Sequence, residues 1–105
     1  MRDAFHEELD AIQATLVTMG EMVSVAMSRS SEALLKADVK LAEQVISEDE
    51  KLDTIQHDLE ARAINLMARQ QPVAQDLRIL VTSLRMSADL ERMGDLCHHI
   101  AKLAR

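Results

Sequence analysis

Glu91 and Asp95 stand one helical turn apart in "DLERMGDLCHH", residues 89–99, with Gly94 between them and two histidines just downstream. At about 100° per residue, Glu91, Asp95 and His99 fall in one column of a helix. A second column, Asp49, Asp53, His57 and Glu60, recurs in "SEDEKLDTIQHDLE". Like charges at i, i+4 destabilise an exposed helix by a few tenths of a kcal/mol. A helical glycine costs roughly 1 kcal/mol against alanine. A bound cation would reverse the first penalty, because hard metals want several carboxylate oxygens within coordination reach. Close approach of a neighbouring helix would explain the second. The competing reading is plain solvated surface, with histidines of no special role. Spacing by itself leaves that choice open.

The elements that must position these residues are helical. Hydrophobic residues are 48% of the 105, yet Gly totals 2 and Pro 1, and Tyr and Trp are absent. Turn formers and aromatics, the usual material of β structure, are missing. Strong helix formers fill the chain instead. Phe5, Leu9, Ile12, Leu16, Met19, Val23, Met27 and Leu34 predict a first buried seam. Leu41, Val45, Leu52, Ile55, Leu59, Ala63 and Leu66 predict a second, with Asp38 as its N-cap. Pro72 ends that helix and suits the first turn of the next. Ile79, Met86, Leu90, Met93, Cys97 and Ile100 predict the third seam, which makes Cys97 a core thiol. Helices over about 3–36, 39–69 and 72–104, joined by short connections, give an all-α, antiparallel up-down-up three-helix bundle.

The formal net charge of −6 argues against nucleic acid as a partner and fits cations or basic protein surfaces. A single cysteine excludes an internal disulfide framework. The N-terminus lacks a signal-peptide core, and no apolar run reaches the roughly 20 residues of a membrane span. A cytoplasmic chain without membrane insertion is expected. The last residues, "AKLAR", are still in helical phase, as in one repeat of something longer.

Two third-helix motifs, "PVAQDLR" at 72–78 and "DLERMGD" at 89–95, together with "ISEDEKLDTIQHDLE" at 46–60, resemble the signature of the PhoU family of phosphate-uptake regulators. The resemblance covers essentially the whole chain. It implies one three-helix repeat of a fold that carries two in tandem, with this chain similar to the first. It also implies that the acidic motifs, here Asp49 with Asp53 and Glu91 with Asp95, hold a transition metal such as zinc or iron. His99 replaces a residue that is Asn in many members, and its imidazole can ligate. The implied role is an adaptor without catalysis. It would couple the phosphate ABC transporter ATPase to a sensor histidine kinase and repress uptake and starvation genes when phosphate is plentiful. The adaptor would be cytoplasmic, peripheral to the membrane through those partners.

Two other classes compete. A carboxylate-bridged metalloenzyme would aim its ligands inward, often as Glu-x-x-His pairs, and only Asp95-x-x-His98 comes near that pattern. A phosphotransfer or histidine-kinase dimerisation bundle is prompted by His6 in "FHEE". Finally, Leu77, Leu84 and Ala88 lie on the acidic side of the third helix, outside the predicted seam. An apolar strip there would favour a homodimer.

Overall fold

Asp3 opens the first helix, its carboxylate accepting the backbone N–H of His6 at 2.9 Å. This satisfies one of the amides that a helix start leaves bare. In a computed structural model, which describes residues 3–105, helix α1 runs Ala4–Lys36. It stops at Ala37, whose φ of 53° is left-handed. The N–H groups of Ala37 and Asp38 turn back onto Leu34 O and Ala33 O at 3.4 and 2.9 Å, closing the end as a left-handed residue permits. Asp38 then caps α2 (Val39–Arg69), accepting the Leu41 N–H at 3.1 Å as predicted. Helix α3 runs Ala74–Ala104, so Pro72 lies just before it and not in its first turn. Val73 takes the cap position without a side-chain hydrogen bond.

Cross-helix contacts fix the topology. His6 Nε2 meets Asp76 Oδ2 at 3.1 Å, so α1 and α3 start at the same end. Arg69 Nη2 donates to Glu8 at 2.7–2.8 Å, so α2 finishes there. The expected up-down-up bundle results, 52 × 21 × 18 Å, all helical among the described residues. Its core has two parts. Phe5, Leu9, Ile12, Leu16, Met19 and Val23 of α1 pack with Leu52, Leu59, Ala63 and Leu66 of α2 and Leu80 of α3. Towards the α1–α2 turn a smaller cluster takes over, built from Ala33, Ala42, Val45 and Ala101.

The predicted seams hold from Phe5 to Val23 in α1 and at Val45, Leu52, Leu59, Ala63 and Leu66 in α2, and shift elsewhere. In α1 the seam passes to Ser30 and Ala33, leaving Met27 and Leu34 exposed. In α2, Ala42 and Gln56 are buried where Leu41 and Ile55 were expected, and those two are half-buried. The third seam is displaced by one residue, or about 100° of rotation. Its buried positions are Leu80, Ser83, Ser87, Gly94, Cys97 and Ala101. Only Cys97 was named correctly. Met86 and Met93 face solvent, and Ile79, Leu90 and Ile100 are half-buried. Close packing selects small side chains here. The hydroxyls of Ser83 and Ser87 donate to Ile79 O and Leu84 O of their own helix at 2.7 and 2.9 Å, so their burial costs little.

This rotation removes the strip expected from Leu77, Leu84 and Ala88, because Leu84 packs on the main core and Ala88 is half-buried. The membrane reading also needs correction. By length and composition α1 could cross a bilayer, with an 18-residue window of mean hydropathy 1.2. The same helix supplies the Phe5-to-Val23 wall of the core, and a core helix passes that test too.

Candidate functional site

Gly94 of α3 is buried against Leu52 of α2. A Cβ placed on it would collide with Cδ2 of Leu52, and Asp49 Oδ1 lies 3.6 Å from the same point. Close approach of the Leu52 side chain thus gives the glycine a packing reason, as its helical cost suggests. That approach brings the two acidic columns together. Asp49 and Asp53 of α2 and Asp95 of α3 each offer a carboxylate oxygen, all within 4.8 Å of one another. Asp53 Oδ1 is buried and has no hydrogen-bond partner.

Burial raises the pKa of Asp53, and the negative charges of Asp49 and Asp95 raise it further, against smaller opposing contributions from His57 and His98. Glu91 is raised by burial first, then by Asp95 and Asp53. Four carboxylates thus share one field, three of them converging and Glu91 alongside. A buried, unsatisfied carboxylate oxygen within a cluster of like charge is costly as it stands. A cation among these oxygens would remove both the repulsion and the lost hydrogen bond.

The imidazole at this site is His98. Its Nδ1 lies 2.7 Å from Asp49 Oδ2, while its Nε2 is buried without a partner among the described residues. His99 is exposed, its ring centroid 6.5 Å from that of His98, and lies outside the carboxylate group. His57 is also exposed, and Glu60 accepts a hydrogen bond from buried Gln56 at 2.9 Å. Counting in strict steps of four put His99 in this column and left His98 named only in Asp95-x-x-His98. Buried residues of α3 follow alternating three-and-four spacing through Gly94, Cys97 and Ala101. The flanking column one residue later reads Glu91, Asp95, His98.

Two other chemistry-bearing residues lie apart. Cys97 is a buried thiol whose pKa burial pushes up, opposed by a hydrogen bond with Ser30, the opposite of an activated nucleophile. His6 is held between Asp3, at 2.9 Å, and Asp76, at 3.1 Å, where it ties the start of α1 to α3.

Comparison with known proteins gives these residues a context. The family model described as PhoU domain matches residues 16–104. Over all 105 residues the chain is 48% identical to "Phosphate-specific transport system accessory protein PhoU homolog 2" of Mycobacterium tuberculosis, covering 49% of that protein. It is 46% identical to PhoU homolog 1 of Mycobacterium leprae, again over the whole chain and 47% of the relative. With the Aquifex aeolicus homolog it shares 39% over 98 residues, 93% of this chain and 44% of the relative. The chain spans about half the length of these relatives. No solved structure matches.

Proposed function

The chain belongs to the PhoU domain family, and on that premise we propose that it acts as an accessory regulator of phosphate transport, not as an enzyme. The observation that carries this reading is the match, over all 105 residues of this chain, to about half the length of relatives named as accessory proteins of the phosphate-specific transport system. In this reading the bundle docks on the transporter ATPase and on a sensor histidine kinase at the cytoplasmic face. Through them it represses uptake and starvation genes when phosphate is plentiful. The net charge of −6 suits a protein that works through contacts with basic surfaces or cations.

The converging carboxylates serve this role as a metal-dependent surface. The donor set fits a transition metal such as zinc or iron: three carboxylate oxygens within 4.8 Å, one of them on a residue that also carries a buried oxygen without a partner. Asp49, Asp53 and Asp95 would hold the ion, with Glu91 beside them. A bound cation would neutralise the cluster and tie α2 to α3. Asp49 is oriented by His98, the arrangement by which a neighbouring group fixes a ligating side chain.

Expression in phosphate-replete cells that lack their own PhoU-type gene tests the regulatory reading. Labelled-phosphate uptake should fall towards the repressed level, and unchanged uptake despite soluble, folded protein would count against it. The metal surface is tested separately by calorimetric titration with Zn²⁺ and Fe²⁺. Saturable binding should disappear in Asp53→Asn with Asp95→Asn, and identical isotherms for the two proteins would remove the metal from the proposal.

A further inference from the structure

Helix α3 repeats a buried position in steps of seven, at Leu80, Ser87, Gly94 and Ala101. Two residues before each, about 200° around the helix and so on its far side, stand Arg78, Arg85, Arg92 and His99, all exposed. Three guanidinium groups thus form one line along the outside of the bundle. At 1.5 Å per residue the line is about 21 Å from first to last. Val81 and Leu96, 38% and 57% exposed, fall on it as well.

The chain leaves these charges largely unanswered. Of the four carboxylates of α3, Asp76 meets His6, while Glu91 and Asp95 share the field of Asp53 on α2. Only Asp89 reaches the line, 3.6 Å from Arg92, with both side chains mostly exposed. Arg78 and Arg85 form no ion pair among the described residues, whereas Lys36, Arg62 and Arg69 each meet a carboxylate of the fold. Surface arginines taken singly are ordinary solvated charge. Here they recur with exposed apolar residues in steps of three and four, the spacing of a helix–helix seam, on the side of α3 that the core does not use.

Charge and shape indicate the occupant. Guanidinium groups match carboxylates in a planar fork, so the complement is acidic. A bilayer or a nucleic acid duplex presents its phosphates over a broad surface, and breadth is penalised here. The chain carries a net charge of −6, and exposed Asp95 stands beside the line. A helix, about 10–12 Å across, can follow a single line of side chains. We propose that the outer line of α3 docks an acidic amphipathic helix of a partner protein. Its carboxylates pair with Arg78, Arg85 and Arg92, and its apolar residues cover Val81 and Leu96. The inference stands on the spacing and charge of α3 and does not rest on the regulatory or metal reading.

The test is fluorescence anisotropy with the full chain at physiological salt. The probe is a labelled synthetic helix of 21 residues with Glu at every seventh position and Leu between, set against a scrambled peptide of the same composition. The ordered peptide should bind saturably, one to one, and at least ten-fold tighter than the scrambled one. Reversing the line with Arg78→Glu, Arg85→Glu and Arg92→Glu should weaken binding at least ten-fold. Arg29→Glu, Lys40→Glu and Lys51→Glu, the same charge change at exposed sites on α1 and α2, should weaken it less than three-fold. Circular dichroism melts that match the parent establish that both variants are folded. Absence of saturable binding overturns the proposal, as does equal weakening by the two variants or equal affinity for the scrambled peptide. Phosphatidylglycerol vesicles that bind the chain through the same arginines, more tightly than the peptide does, would replace the helix with a membrane and overturn it too.

Discussion

At the end of the bundle where α1 begins, the helices are held apart by Phe5, Leu9, Ile12, Leu59 and Leu66; at the other end they meet through Ser30, Ala33, Ala42, Gly94, Cys97 and Ala101. The first arrangement buries large apolar side chains, about 1.5–3 kcal/mol each for the leucine class. The second buries little per residue and gives proximity instead. The converging carboxylates lie at the small-residue end, beside Gly94. Bulk and proximity are thus allotted to different stretches of the same three helices.

Truncation at the large end should have the greatest effect. Leu59 is fully buried, and Leu59→Ala should cost about 2–5 kcal/mol in urea denaturation. Leu90, expected on the seam, is half-buried and should cost less. If Leu90→Ala proved the more damaging, the rotation of α3 described above would be wrong.

At the small end the informative change is an addition. Gly94→Ala gains helix propensity, about 1 kcal/mol, and drives a methyl group into Leu52. Overpacking of this kind costs roughly 1–3 kcal/mol, so the net effect should range from neutral to about 2 kcal/mol destabilising. In a Leu52→Ala background the same substitution should be stabilising. A double-mutant cycle that finds no coupling between the two positions would break the argument for close approach.

The carboxylates themselves should give a smaller effect with a definite sign. Asp53 and Glu91 have pKa values raised in the folded protein. The folded state therefore binds their protons more tightly than the unfolded state does. For these groups, metal-free stability rises as pH falls from neutrality through the folded values, and the gain is complete below the ordinary carboxylate range. His6, also raised, acts in the same direction, its contribution being lost as pH rises through its folded value. Asp53→Asn with Glu91→Gln should flatten the acid side of the profile. It should also leave the metal-free protein at pH 7 more stable by a few tenths of a kcal/mol. A double variant that is less stable than the parent would mean that these carboxylates hold the fold together. The least effect is expected at His99, where replacement by alanine should alter neither stability nor metal uptake, whereas His98→Ala should weaken uptake.

The same division governed what could be read before the structure. Phe5 to Val23 and Leu52 to Leu66 were legible because burial there coincides with large apolar side chains. The caps at Asp38 and the break at Pro72 were legible because their chemistry is local. In α3, burial falls on Ser83, Ser87, Gly94 and Ala101, while Met86 and Met93 face water. A pattern of hydrophobicity follows side-chain size and so points to the wrong column. The acidic residues were found because charge is conspicuous at any register. Choosing His98 over His99 for that column needed the phase of α3, which its buried residues from Leu80 to Ala101 define. Met86 and Met93 read as core for the same reason, in a seam turned by one residue.

Asp38 belongs to two helices at once: its N–H closes α1 on Ala33 O, and its carboxylate caps α2 at Leu41. The first two helices are thereby stapled into a hairpin with a turn of two residues, Ala37 and Asp38. The third is joined through residues 70–73 and begins at Val73 with no side chain satisfying its leading amides. In native-state hydrogen exchange the first turn of α3 should open before either end of the hairpin's turn. The fraying then begins at the end of α3 remote from Glu91, Asp95 and His98, which lie in its second half.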